Sequence, residues 1–508
     1  MQNSPTNPKP VFPAPIYRDT VLSRIFADAQ RLFLDPLIEI EYAHVLMLAK
    51  QGILSPDTAI ACLRALDTLS STLSLEELRI TKYDGSVEDL FFLIERRLAD
   101  TCGVDNAGRI HTARSRNDID MTVYRIVLRQ NLLNTLDALL ALRTELLKLA
   151  SDNRESLMPA YTHNQPAQPT TLGHYLMAVI EVLERDTERL LAAYTRVNRS
   201  PLGACAITTT GFPIDRNYTA QLLGFDGLQT NSYGAIASID YLTESCSTLA
   251  VAMLNIGRFT QDLLLWSTAE FNYLRLSDGY VQISSIMPQK RNPVPLEHVR
   301  TLASRALTES QAALGSLHNT PFADMNDSED SFQPLVALAF DDATRALTLL
   351  TGALSEATFN IAHMREAAQG SFLTVTELAD TIVRTTGTSF HHAHTVVSTA
   401  VRQLAGNYNA ETMATTVQTL LANDPKQPLQ IDLDTLRQSL DAQHFIDIRT
   451  IPGGPAPSAL NPEIVRASNQ LDSDTATIAA RKNSLQAAKQ LLRSDADTLL
   501  SDKKAASS

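Results

Sequence analysis

The sequence predicts an all-α fold, and three observations carry that expectation. Glycine is scarce, 19 of 508 residues, which favours long helices over a turn-rich β architecture. Between Gly108 and Pro159 there is neither Gly nor Pro, so nothing in that interval must interrupt a helix. Within it, "DIDMTVYRIVLRQNLLNTLDALLALRTELLKLA" repeats its apolar residues at spacings of three and four. That is one helix, far longer than the usual three turns.

Further Gly- and Pro-free runs cover His174–Ser200, Ala235–Ile256, Leu296–Leu314 and Leu335–Thr351. Stretches such as "STLAVAMLNI" and "LTLLTGAL" are apolar on more than one face, the pattern of helices buried in a bundle or against other subunits. Five long helices in succession predict a central bundle. Shorter helical stretches flank it, broken by "NDPKQP" and "RTIPGGPAPSALNP". A chain of 508 residues exceeds one compact core. Three all-α domains are expected, over residues 1–110, 111–365 and 366–508.

Composition narrows the function. A formal charge of −13 lacks the broad basic surface that nucleic acid requires. An anionic small molecule would need a local cluster of Arg and Lys. Cys62, Cys102, Cys205 and Cys246 are scattered with no CxxC, as in reduced thiols of a cytoplasmic protein. The N-terminal "MQNSPTNPKPVFPAP" has no apolar segment of signal or anchor type. No apolar run reaches the length of a membrane span, and the tail "SDKKAASS" reads as frayed.

Three irregular segments at helix ends carry the chemistry. In "GRIHTARSRND", Asn117 or Asp118 can cap the long helix. Arg114, Ser115, Arg116 and Asn117 then sit at the positive end of a helix dipole, a site suited to a carboxylate. In "YTHNQPAQPTTLGHY", Pro166 and Pro169 impose an extended path and Thr170 or Thr171 caps the next helix. Thr162 and His163 fall on that stiff approach. In "ISSIMPQKRNP", prolines forbid continuous helix, so Ser284 to Asn292 is loop. Lys290 and the loop's own N–H groups are placed to stabilise a serine anion, and Asn292 offers an amide. "HHAH" (His391, His392, His394) lacks metal-ligand spacing, and no GxGxxG, P-loop or GxSxG is present.

Taken in order, these segments resemble the argininosuccinate lyase branch of the fumarase/aspartase superfamily. "SSIMPQKRNP" resembles the superfamily's diagnostic loop, "HTARSRND" the branch's HTGRSRND, "YTHNQPAQPTTLGHYL" its YTHLQ-x-AQP region and "GGPAP" its GGTAP. The resemblance implies a homotetramer with a twenty-helix core, whose active sites each combine the three segments from three subunits. It implies reversible elimination of an amine from an N-substituted aspartate to give fumarate, with no metal or cofactor. Ser284, beside Ser285, would remove the proton. Lys290 and Asn292 would stabilise the aci-carboxylate, and Arg114, Ser115, Asn117 and Thr162 would hold the carboxylates. His163, supported by Glu297, would take the acid or orienting role.

The family's Tyr-Asn-x-Asp-Leu-Gln-Glu-Asp-Lys run stands here as "ADMNDSEDS", with Ala323, Ser328 and Ser331 at the substrate-touching positions. Phe26 replaces an N-terminal serine, "EDLF" replaces EDVH, and Val294 replaces an Asp. The amine is therefore left open between argininosuccinate and another N-succinyl amine such as ethylenediamine-disuccinate. A non-catalytic, crystallin-like relative is the third reading, against which stand the retained Ser284, Lys290, Asn292, His163 and Arg114.

Overall fold

A computed structural model describes residues 12–506. The N-terminal stretch through Val11 and the last two residues of the tail lie outside the described residues. Helix continues to Ala506, where fraying was expected. Long helices dominate. We label α1 (Leu34–Lys50), α2 (Arg116–Asp152), α3 (Leu172–Val197), α4 (Asp240–Trp266), α5 (Val294–Leu317), α6 (Gln333–Ser355) and α7 (Pro457–Ala506). Between α2 and α3 runs a hairpin, β1 (Leu157–Thr162) against β2 (Gln165–Thr171).

The expected runs are helical except that Ala235–Ile256 is interrupted at Ser238 and Ile239, between a short helix Ser232–Ala237 and α4; their ends are set by local chemistry. Ser115, not Asn117 or Asp118, caps α2, because its own backbone is extended (φ −140°) while Arg116 already begins the helix. Asp118 completes a capping box by accepting from the Ser115 N–H. Thr171 caps α3 by accepting from the His174 N–H at 3.1 Å. Gly173 follows because a side chain there would meet the Ala150 carbonyl oxygen at 2.6 Å. α4 passes through Gly257, which stands in open space, and Pro295 and Pro334 sit in the first turns of α5 and α6, where no N–H is missed.

The bundle core is one large apolar cluster contributed by α2 to α6. Arg125, 1% exposed, donates to the carbonyls of Arg196 and Val197 and so satisfies the end of α3. A second cluster gathers Phe26 to Ile126 with the 202–236 segment, and a third lies within residues 378–440. α7 joins the first two. Its Asp474 meets buried Arg143 at 2.6 Å, and its Arg493 meets Asp67 at 2.5 Å. The sequence hid this helix, because its buried positions are sparse and Pro462 suggests a break. Pro462 falls early in the helix, where it removes one backbone bond only.

The helix directions define two ends of the bundle. Tyr241 at the start of α4 faces Arg125 of α2 at 3.9 Å, so α4 runs alongside α2 in the same direction. Trp266, at the far end of α4, meets Tyr175 in the first turn of α3 at 4.9 Å. Arg300 in the second turn of α5 bonds Gln261 near the end of α4, so α5 returns. The start of α2 therefore shares one end with Asp330, which accepts from the Tyr124 hydroxyl. The hairpin and the Ser284 loop share the other end. α2 has 37 residues and is about 55 Å long. Among the described residues no helix is long and apolar enough to cross a membrane.

Candidate active site

At the start of α2, one carboxylate organises the loop. Asp118 is fully buried. Besides its capping bond it accepts from the Gly203 and Cys205 N–H groups at 2.8 and 2.9 Å. Burial raises its pKa to about 6 even against those donors. Ser115 Oγ donates to Asn117 Oδ1 (3.1 Å), and Asn117 Nδ2 donates to the Ala206 carbonyl (3.1 Å). The sequence assigned Asp118 only a possible cap. Its second function, tethering residues 203–205, leaves no local signal.

The two arginines of the loop part company. Arg114, expected to hold a carboxylate, points inward: its side chain is 1% exposed and bonds Glu41, also 1% exposed, at 2.8 Å. Phe91 of "EDLF" packs 5.2 Å from its guanidinium. The Arg114 guanidinium, expected to face a carboxylate ligand, here faces Glu41, with Glu95 a second partner at 3.4 Å. Arg116 reaches the surface, 38% exposed, and bonds Glu88 and Asp89. Ala113, standing where the family pattern has Gly, adopts φ +62°, a region favoured by Gly.

Thr162 and His163 lie at the hairpin tip. The paired residues Thr162 and Gln165 enclose His163 and Asn164, both left-handed (φ +52° and +59°), which is the two-residue type I′ turn. The expected stiff approach is thus a hairpin, with both side chains exposed. His163 in this conformation is uncommon, and such outliers cluster at functional sites.

The serine loop leaves and re-enters through a two-residue ladder, Gln282–Ile283 against Arg291–Asn292. Arg291 anchors its base by bonding Asp278 (2.5 Å) and the Leu276 carbonyl (2.8 Å). Inside, Ser284 Oγ accepts from the N–H groups of Met287 (3.1 Å) and Ile286 (3.4 Å). Two converging amides favour negative charge on that oxygen. Ser285 and Lys290 are exposed, Asn292 is half-buried, and Glu297 lies exposed in the first turn of α5. Ile283 and Ile286 flank Ser284 at 75% and 82% exposure, apolar surface of a kind that calls for a covering partner.

Among the described residues, no hydrogen bond or ion pair joins these three segments to one another. Arg114 to Asn117 occupy one end of the bundle. Thr162, His163, Ser284, Ser285, Lys290, Asn292 and Glu297 occupy the other. No described group of His, Cys, Asp and Glu is arranged to hold a metal ion.

Beside Arg116, sequence reasoning missed a group of interacting carboxylates. Burial and the charges of Asp324 and Asp330 raise Glu329 to about 7, burial raises Asp330 to about 6, and Asp120 is pushed well above the carboxylate range by burial and Asp330. Asp330 therefore holds its proton more tightly folded than unfolded. Its stabilising contribution is present below its ordinary 3.8 and is lost as pH rises through about 6. Asp330→Asn, which keeps an acceptor for Tyr124, is expected to gain up to about 3 kcal/mol at about pH 8 and almost nothing at about pH 4. Parallel denaturation curves at the two pH values check this; equal shifts would exclude it.

Comparisons with known proteins identify the family. A lyase family model covers residues 29–308, and an argininosuccinate lyase C-terminal model covers residues 372–447. Argininosuccinate lyase 2 of Agrobacterium fabrum is 42% identical over 88% of this chain and 89% of its own. The chain belongs to the argininosuccinate lyase family. Argininosuccinate lyase of Methanoculleus marisnigri is 37% identical over 91% of this chain and 92% of its own. Among solved structures, EDDS lyase in complex with formate superposes with a TM-score of 0.84 at 32% identity, covering 94% of this chain and 93% of that one. An EDDS lyase variant with bound fumarate gives 0.83. As an argininosuccinate lyase family member, the chain has the fumarase/aspartase fold and is a carbon–nitrogen lyase.

Two departures from the family pattern now have structural reasons. Phe26 is 3% exposed and packs against Tyr83 at 5.1 Å, so it is core. Ser328 is 6% exposed and donates to the Met325 carbonyl at 3.1 Å, so this argininosuccinate lyase family member uses it to hold a turn.

Proposed function

We propose that the protein cleaves argininosuccinate reversibly to arginine and fumarate, as a cytoplasmic enzyme of arginine biosynthesis. The observation that supports this most is Ser284 Oγ, held by two amides of the loop that also carries Lys290. A proton next to a carboxylate is very weakly acidic. A base alone supplies only about 10²–10⁴-fold, and the remainder must come from stabilising developing charge. In our reading Ser284 takes the proton, while Lys290, Asn292 and the Ser285 N–H receive the aci-carboxylate. Ser115, Asn117 and Thr162 hold the substrate carboxylates together with Arg116, the guanidinium that reaches the surface. His163, with Glu297 behind it, protonates or orients the leaving nitrogen.

We read the active unit as a homotetramer. The bundle ends that carry Ser284 and Asn117 are separated by about 55 Å in one chain, so antiparallel copies must supply them to one another. Val251 and Leu254 of α4, 40% and 52% exposed, give the bundle an apolar outer face for such packing. We keep the three-domain division at 1–110, 111–365 and 366–508, with α7 returning to staple the first two.

A second reading replaces the amine. Ala323, Ser331 and the inward-facing Ser328 remove the groups expected to grip arginine, which favours another N-succinyl amine such as ethylenediamine-disuccinate. Fumarate absorbance on incubation with each compound separates the readings. Release from argininosuccinate, with rescue of an arginine auxotroph, is the expected result. Release only from the diamine derivative would transfer the assignment, and release from neither would favour the non-catalytic reading.

A further inference from the structure

We propose that Glu41 and His44 are positioning residues for the elimination, gripping the strained loop that presents Ser115 and Asn117 from beneath. The proposal rests on the functional reading above for what that loop does.

Helix α1 is almost wholly apolar where it is buried, yet Glu41 and His44 are 1% and 2% exposed within it. They stand three residues apart, on one face. A carboxylate and an imidazole so deeply buried must be partnered, and both partners belong to the loop before α2. His44 Nε2 lies 3.0 Å from the Thr112 carbonyl oxygen. A carbonyl only accepts, so Nε2 carries the proton. Burial, then the charge of Arg114, lowers the ring's pKa to about 3 and keeps it a neutral donor. Glu41 accepts from Arg114 Nη1 at 2.8 Å.

Between these two tethers lies Ala113, at φ +62°, a conformation that L side chains rarely adopt. Its carbonyl is also engaged, accepting from Cys205 Sγ at 3.2 Å. Ser115 and Asn117 follow within four residues. A left-handed alanine persists only where its surroundings over-determine it, and Glu41 and His44 hold the residues on either side of it, with Glu95 a further partner of Arg114 at 3.4 Å. Neither residue faces solvent, so neither touches substrate. Both act through the loop.

The test combines Glu41→Gln, His44→Leu and Ala113→Gly, singly and in pairs, with hydrogen exchange of residues 111–118 and kinetics of fumarate release. Each of the first two variants is expected to speed exchange in that segment and lower kcat/KM by about 10–100-fold, since small misplacements carry such costs. Adding Ala113→Gly should restore much of the loss, because glycine needs no clamp to hold this φ. A purely structural role would not be relieved that way. Where Glu41→Gln fails to fold for want of a partner for Arg114, the paired Glu41→Leu/Arg114→Leu variant removes both charges together.

Unchanged exchange in residues 111–118 would overturn the clamp. Faster exchange with unchanged kcat/KM would overturn the positioning role. A wild-type protein that releases no fumarate would overturn the functional reading instead, and the exchange arm would still decide the clamp.

Discussion

Ser284→Ala is expected to reduce fumarate release by about 10³-fold or more while leaving the melting temperature almost unchanged. The two halves of that expectation have separate causes. Ser284 Oγ accepts two backbone N–H bonds within an exposed loop. When the oxygen is removed, water can reach those amides, so the folded state loses at most about 1 kcal/mol. The reaction has no such substitute. A hydroxyl becomes a base only where its anion is stabilised, and the Ile286 and Met287 amides point at this one oxygen. Ser285 is exposed with no such pair of donors, so it cannot take over. Steady-state kinetics beside thermal denaturation would check both halves. Activity close to wild type in a folded Ser284→Ala protein would remove the serine from the mechanism.

The long helices were legible because periodicity and the absence of Gly and Pro are local properties of α2 to α6. α7 was not, since its buried apolar positions beyond Pro462 (Ala467, Ile478, Ala488, Leu492 and Ala496) are too widely spaced to outweigh that proline. Pro166 and Pro169 announce extended chain, whereas Thr162 to Gln165, which lacks Gly, carries no signal of the turn. The structure instead places His163 and Asn164 in left-handed geometry, which short polar side chains tolerate and most others do not. The site divides the same way. Ser284, Lys290 and Asn292 could be found because proline frames them in the chain. Arg114 and Arg116 looked alike in sequence. Their difference lies in distant partners: Glu41, more than seventy positions away, takes the Arg114 guanidinium inside. Asp118 is similar: its acceptor role towards Gly203 and Cys205 exists only after the chain has folded back.

Mixing two inactive variants is expected to restore activity. Ser284→Ala and Asn117→Ala each remove one end of the proposed site, and each variant alone should be silent. When the two are unfolded or dissociated together and reassembled in equal amounts, about a quarter of sites should receive both intact residues, since each comes independently from a different copy. Recovery near that fraction is the outcome expected if Ser284 and Asn117 act together in one site. Asn117 stands in the first turn of α2, while the hairpin and Ser284 lie beyond its far end, and no side chain spans a helix of 37 residues. A repeat with His163→Asn in place of Asn117→Ala distinguishes two contributing copies from three. His163 and Ser284 share one end of the bundle, so recovery there means that even neighbouring segments serve different sites. Absence of recovery in the first mixture, from reassembled tetramers, would show that one chain builds its own site and would make the separation of Asn117 from Ser284 irreconcilable with their joint action on one substrate.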